Sequence, residues 1–183
     1  MKNTSNEVEL KELWEKLYHK FCIEYNNDFS NQDVDGWLSH FVPNQKINVY
    51  QYGIDATGKK GKGKTIKIYT GSIFSSLIKG RISAKLMAKI VFKRLAKQNY
   101  SHSETELLGI QNNINTKSKV KAHFSYKRFN AQGEMYDSGI GLYSLLKVKN
   151  QWLINEMSVY DTHDEFNSRV DLSQIWHPSK GIS

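Results

Sequence analysis

Histidine and carboxylate side chains are the groups in this sequence best suited to acid–base chemistry. His102, at the start of a predicted strand, is a candidate because imidazole titrates near neutral pH. A histidine beside a carboxylate can remove a proton next to a carbonyl group. The alternative is a structural histidine with a packed ring. Glu156, in the last predicted strand, needs a partner or acts as a base if it points inward, and is a surface charge if it points outward.

Aromatic side chains supply the other candidates for a ligand pocket. Tyr25 and Tyr50 carry hydroxyls that can hydrogen-bond a ligand, or they are core rings with satisfied hydroxyls. Trp37 lies on the apolar side of a short predicted helix, and Phe124 and Tyr126 share one face of a predicted strand. The predicted site therefore has His102 and Tyr25 as catalytic candidates, and Tyr50, Trp37, Phe124, Tyr126 and Glu156 as pocket residues.

Metal and cofactor patterns are missing from the sequence. Asp161, His163 and Asp164 are close together, but no set of histidines and cysteines has zinc spacing. No nucleophile-elbow motif supports Ser-His-Asp catalysis. Nothing points to a nucleotide, so we expect any chemistry to proceed without a cofactor or a metal.

Two lysine-rich stretches have the charge to bind anions. Residues 53–64 interleave glycines with lysines, but the spacing matches neither the P-loop nor the dinucleotide fingerprint, which favours a plain surface loop. Arg81, Lys85, Lys89, Lys93 and Lys97 recur every four residues along a predicted helix. A phosphate-binding stripe is one interpretation, and the solvated face of a core-packed helix is the favoured one. We expect no nucleic-acid partner.

Composition limits the class of protein. With 183 residues and a net charge of +8, the chain is expected to form one domain, 1–183, with 162–183 as a C-terminal extension. One cysteine, Cys22, excludes an internal disulfide framework and suits a reducing compartment. We expect no signal peptide and no membrane partner, because no apolar run follows a basic start or approaches the length of a bilayer span. A cytoplasmic location follows as the expectation.

Helical patterns precede strand patterns along the chain. Apolar residues at helical spacing predict a first helix from Leu10 to Tyr25 and a short second helix from Val34 to Phe41. A longer helix is predicted over 82–98, with the following residues on one buried face: Ala84, Met87, Ala88, Ile90, Val91 and Leu95.

Four strands are predicted after the last helix, at His102–Ile110, Val120–Phe129, Glu134–Lys149 and Gln151–Tyr160. Trp152, Ile154, Glu156, Ser158 and Tyr160 are expected on one face of the last strand, opposite Leu153, Met157 and Val159. Both faces of the late strands carry apolar residues, so one can close on the helices and the other can meet a second subunit.

Three segments resemble a known superfamily. They are Asp33–Phe41 in the second helix, Tyr100–Ser103 at the start of a strand, and the closing hairpin from Gly141-Leu142-Tyr143 to Asn150–Ile154. Together they resemble the nuclear transport factor 2-like superfamily, also called SnoaL-like, over residues 8 to 161. The resemblance implies an α+β cone in which N-terminal helices pack in the concave face of a bent antiparallel sheet.

The resemblance also implies roles for residues. His102 would be the pocket acid or base, and Tyr25 a phenol that polarises a substrate oxygen. Dehydratase-like members place an aspartate shortly after that tyrosine, and here the position is either shifted to Asp28 or occupied by Ser30.

Two functions follow from the resemblance. The first is a cofactor-independent isomerase, cyclase or dehydratase that acts on a small apolar or oxygenated ligand. The alternative is a non-catalytic ligand-binding or assembly module, similar to the β subunits of ring-hydroxylating dioxygenases and dimeric through its sheet. Either function leads us to expect a homodimer.

Overall fold

The computed structural model describes residues 3–52, 63–78, 81–111 and 118–178, in which α-helices pack against a large sheet. The helices are α1 (Asn3–Leu17), α2 (Tyr25–Ser30), α3 (Val34–Ser39), α4 (Ile73–Ile78), α5 (Ala84–Lys97) and α6 (His163–Asn167). A π-helical segment, Tyr18–Glu24, joins α1 to α2, and a 3-10 turn occupies Leu172–Gln174.

Eight strands form one mixed sheet in the described residues. They are β1 (Lys46–Tyr52), β2 (Lys64–Tyr69), β3 (Ile82–Ser83), β4 (Tyr100–Gln111), β5 (Lys119–Asn130), β6 (Met135–Val148), β7 (Gln151–Tyr160) and β8 (Ile175–Trp176). Their order is β3-β2-β1-β7-β6-β5-β4-β8. The pairs β1–β7 and β2–β3 are parallel and the others are antiparallel. The sheet is therefore mixed, whereas the sequence predicted an antiparallel sheet.

The π-helical segment brings the first helix into the concave face of the sheet. Leu17, Phe21 and Tyr25 recur every four residues and are all buried. Cys22 is buried beside Phe21, because the wider π turn presents two consecutive side chains to the core. Burial raises the pKa of the Cys22 thiol to about 12, so this thiol is inert.

The face of α5 that packs on the domain differs from the prediction. Ala84, Ala88 and Phe92 are buried, whereas Ile90 is 47% exposed. The helix therefore meets its neighbours along the line of residues 84, 88 and 92, which turns Ile90 toward solvent beside Lys89 and Lys93. Placing Ile90 on the buried face was wrong.

A bulge in β7 separates side chains that simple alternation groups together. Ser144 pairs with Glu156 and the next residue, Leu145, pairs with Ile154, so Asn155 is the extra residue. Ile154 is therefore in the core with Leu145, and Glu156 lies on the opposite, outer face of the sheet. The prediction that Ile154 and Glu156 share a face was wrong for this reason.

Residues 163–176 pack across part of the outer face of the sheet. Phe166 is buried against His123 and Tyr160, with ring centroids 5.2 and 5.4 Å apart. Ile175 and Trp176 pair with the end of β4. Most of the glycine–lysine loop, residues 53–62, lies outside the described residues.

Candidate functional site

The structure divides the sequence-predicted site residues among three places. Tyr25, Trp37 and Phe124 pack together inside the cone, between the helices and the sheet. Tyr126 lies further along the same face of β5 as Phe124 and is partly buried. The other predicted residues are outside: Tyr50 and Glu156 line a pocket on the outer face of the sheet, and His102 is exposed at the start of β4.

His102 is held on the surface by its strand partner. A bulge at Ser101 pairs His102 with Phe129, and the two rings stack with centroids 4.9 Å apart. The next residue, Ser103, points to the helices, where its backbone N–H donates to Ser30 Oγ at 3.1 Å. Among the described residues, His102 therefore lies next to neither Tyr25 nor a carboxylate group.

A different histidine lies inside the cone. His40, directly after α3, is 1% exposed, and its Nε2 is 2.8 Å from Oδ2 of Asp28 at the end of α2. Asp33 caps α3 by accepting hydrogen bonds from the N–H groups of Asp35 and Gly36. A Cβ at Gly36 would lie 2.6 Å from Asp33 Oδ2 and 3.0 Å from Asp28 Cγ, so only glycine allows this close approach.

The pairing sets the tautomer of His40. A carboxylate can only accept a hydrogen bond, so Nε2 carries the hydrogen and Nδ1 carries a lone pair. Nδ1 is buried and has no hydrogen-bond partner among the described residues. Burial lowers the pKa of His40, and the hydrogen bond to Asp28 only partly offsets this. The imidazole is therefore neutral near pH 7 and has a basic nitrogen available.

One tyrosine packs on this histidine, and a second tyrosine packs on the first. The ring centroid of Tyr25 is 5.5 Å from that of His40 and 6.1 Å from that of Tyr143. Burial raises the pKa of Tyr25 and raises that of Tyr143 well above its usual range. Both phenols are therefore neutral. Tyr143 donates its hydroxyl hydrogen to Tyr25, which leaves the hydroxyl of Tyr25 to donate a hydrogen bond to an oxygen that develops negative charge.

A charged pair lies near the outer end of these aromatic residues. Arg128 Nη1 donates to Asp137, and its guanidinium lies 5.5 Å from the ring centroid of Phe29 and 4.7 Å from that of Tyr126. Its Nε and the hydroxyl of Tyr136 are buried without a hydrogen-bond partner in the described part of the chain. Unsatisfied buried donors of this kind suit a polar group that enters from outside.

The outer face of the sheet carries a separate pocket of about 280 Å³. Side chains of β1, β5, β6 and β7 and of the C-terminal segment line it. The lining includes Tyr50, Tyr52, Lys121, Ser144, Glu156 and Arg169.

Across residues 3–52, 63–78, 81–111 and 118–178, no group of histidine, cysteine and acidic side chains is arranged to hold a metal ion. In the same residues, no helix is long and apolar enough to cross a membrane.

His40 and its pairing with Asp28 were missed by sequence reasoning. His40 lies in the segment Trp37-Leu38-Ser39-His40-Phe41, where the neighbouring apolar residues signal burial. A buried histidine needs a partner, and that requirement was the available signal. Nothing in the spacing of twelve residues identifies Asp28 as the partner.

Comparison with known proteins shows the fold. No family model matches the chain, and no curated protein matches it. An NTF-2 like protein of unknown function from Shewanella oneidensis MR-1 is similar in structure, with a TM-score of 0.52, 9% identity, and 78% of this chain and 94% of that chain covered. A cystatin-like domain of unknown function from Nostoc punctiforme PCC 73102 has a TM-score of 0.52 and 12% identity, with 89% of each chain covered.

A third similar structure is the β subunit of a putative aromatic-ring-hydroxylating dioxygenase from Novosphingobium aromaticivorans DSM 12444. Its TM-score is 0.51 at 15% identity, with 83% of this chain and 92% of that chain covered. The predicted α+β cone fold is thereby confirmed, and it is the fold of these NTF-2 like and cystatin-like proteins. At these identities the likeness concerns the fold alone, since this fold hosts many functions.

Proposed function

We propose that the interior of the cone is a site for proton transfer on a small oxygenated molecule, without a cofactor. The observation that carries the proposal is the buried His40–Asp28 pair, joined at 2.8 Å, with the neutral phenol of Tyr25 packed on the imidazole. This assigns to His40 the acid–base role that the sequence suggested for His102.

The chemistry follows from the tautomer of His40. Nδ1 removes a proton from the carbon next to a carbonyl group, and the Asp28 carboxylate stabilises the imidazolium that forms. The phenol of Tyr25 donates a hydrogen bond to the carbonyl oxygen as it becomes an enolate. Return of the proton from Nδ1 to a different carbon completes an isomerisation. Transfer of that proton from Nδ1 to a β-hydroxyl group, which leaves as water when its C–O bond breaks and the C=C bond forms, completes a dehydration.

Access to the interior requires aromatic rings to move. Phe21 and Tyr25 pack against the ring of His40. Trp37 is only partly buried and packs against Tyr25 and Phe29. A ligand that displaces Trp37 reaches the phenol of Tyr25 first. The required motion is a side-chain rearrangement, which is common at ligand sites.

Turnover of a β,γ-unsaturated cyclic ketone tests this proposal, because its isomerisation needs only the removal and return of one proton. The conjugated product is followed by its ultraviolet absorbance. Asp28→Asn and Tyr25→Phe should each lower kcat by about 100-fold, while His102→Gln should leave kcat unchanged. The midpoint of thermal unfolding, measured for each variant, separates loss of chemistry from loss of fold.

A structural cross-link between α2 and α3 is the competing explanation of the His40–Asp28 pair. It fits a non-catalytic binding module, the alternative function from the sequence. In that case the wild type shows no turnover, and Asp28→Asn lowers the free energy of unfolding by about 2 kcal/mol without any other effect. That combination of results would reject proton transfer.

A further inference from the structure

The pocket on the outer face of the sheet lies on the far side from His40 and holds two opposite charges on either side of a serine. Lys121 of β5 pairs with Ser144 of β6, and Ser144 pairs with Glu156 of β7. The three side chains form one row across three strands, and all three line the pocket. Adjacent strands are about 4.8 Å apart, so the Cα atoms of Lys121 and Glu156 are about 10 Å apart.

These two charges do not neutralise each other. No ion pair joins Lys121 to Glu156 among the ion pairs of the described residues. The Glu156 carboxylate instead lies close enough to Tyr50 to raise the pKa of that residue, because its negative charge opposes ionisation of the phenol. An ammonium group and a carboxylate group therefore both line the pocket, and neither is ion-paired to a residue that the structure describes.

Aromatic rings line the side of the pocket next to Glu156. Tyr50, Tyr52 and Tyr160 form a stack, with ring centroids 6.5 Å apart for the first pair and 5.0 Å for the second. The guanidinium of Arg169 already lies over Tyr52, at 4.4 Å from its ring centroid. Tyrosine ring faces beside a carboxylate attract an organic cation, because the ring quadrupole adds to the charge of the carboxylate.

We propose that this outer-face pocket binds a small ω-amino acid, with its ammonium group on Glu156 and Tyr50 and its carboxylate on Lys121 and Ser144. Strand side chains stand roughly perpendicular to the sheet, so we take the spacing of the two charged groups as the roughly 10 Å of their Cα atoms. Each charged contact takes about 3 Å of this distance, which leaves about 4 Å between the charged ends of the ligand. Two or three methylene groups span that distance. The volume of about 280 Å³ is just below the range of about 300–1,000 Å³ for pockets that hold drug-sized molecules, which favours a smaller ligand such as this one.

Calorimetric titration with a matched series of probes tests the proposal. 4-Aminobutyrate carries both charges, and butyrate and butylamine each carry one. We expect 4-aminobutyrate to bind at millimolar concentration and each single-charge probe to bind about 10-fold more weakly. Equal binding of the three probes, or binding of none, would overturn the proposal.

Substitutions inside and outside the pocket test where 4-aminobutyrate binds. Glu156→Gln and Lys121→Met should each weaken 4-aminobutyrate binding about 10-fold, whereas Glu104→Gln and Lys147→Met, at exposed positions of β4 and β6, should not change it. If a variant is too unstable for calorimetry, the amide chemical shifts of Ser144 and Ser158 in the wild-type protein report where 4-aminobutyrate binds. Asp28→Asn should leave binding unchanged, which keeps this site separate from proton transfer in the interior. Shifts confined to residues outside the pocket would also reject the proposal.

Discussion

Replacing Phe21 by alanine should lower the free energy of unfolding by about 3–5 kcal/mol, the loss expected when a fully buried phenylalanine leaves a cavity. Phe21 is 0% exposed and contacts both walls of the cone. Its ring centroid is 5.6 Å from that of Phe124 on the sheet and 6.2 Å from that of Tyr25 on the helix. Urea denaturation at neutral pH, with and without the substitution, measures the change.

Ile23→Ala is the matched control for this experiment. Ile23 lies two residues away in the same π-helical segment and is 48% exposed, so its truncation should change the free energy of unfolding by about 0.5 kcal/mol at most. A loss below about 1 kcal/mol for Phe21→Ala would contradict the view that this ring fills the centre of the cone.

The strands of the sheet are the part of the fold that the sequence predicts best. The predicted segment Val120–Phe129 differs from β5, Lys119–Asn130, by one residue at each end, and Gln151–Tyr160 is the same segment as β7. Apolar alternation is informative here because one face of each strand packs on the helices. The turn before β6 was also predictable, since Gly133 adopts a φ of +78° that favours glycine.

Local irregularities were not predictable from periodicity. The extra residue Asn155 changes which face Ile154 and Glu156 occupy, yet the alternation of apolar residues continues across it. The π-helical segment similarly keeps apolar residues four apart while it adds Cys22 to the core. Bulges and π turns are set by the packing of neighbouring elements, and that packing involves residues far apart in the chain.

The candidate site was predictable only in part. Tyr25, Trp37 and Phe124 were placed together because each lies on an apolar face, and the structure packs all three inside the cone. The acid–base pair depends on the cap of α3, where Asp33 and Gly36 turn the chain so that His40 meets Asp28. The contact between His40 and Asp28 depends on the tertiary structure, and no residue spacing in a single sequence predicts it.

Replacing His123 by leucine should make the protein more resistant to acid. His123 is 0% exposed beneath Phe166, and neither ring nitrogen has a hydrogen-bond partner among the described residues. Burial, with a smaller effect from the charge of Lys121, lowers the pKa of His123 from 6.5 to about 4. His163 and Asp164 on α6, the helix that carries Phe166, are both exposed.

The sign of the pH dependence follows from the direction of this shift. Between pH 6.5 and about pH 4 the unfolded chain binds a proton at His123 that the folded chain does not bind, so stability falls as the pH falls. Over that window the wild type should lose about 3 kcal/mol through His123. Above pH 6.5 both states are neutral at this position, and the effect disappears.

Urea denaturation of the wild type and His123→Leu at pH 7 and pH 4.5 measures the difference. At pH 7 leucine should be neutral or stabilising by about 1 kcal/mol, because it has a similar volume and leaves no unpaired polar atom. At pH 4.5 the advantage of the variant should grow by about 2–3 kcal/mol. Some acid sensitivity should persist in the variant, because burial also lowers the pKa of His40. His163→Leu, at an exposed position, should follow the wild type, and an equal loss in all three proteins would show that His123 is protonated without cost in the folded state.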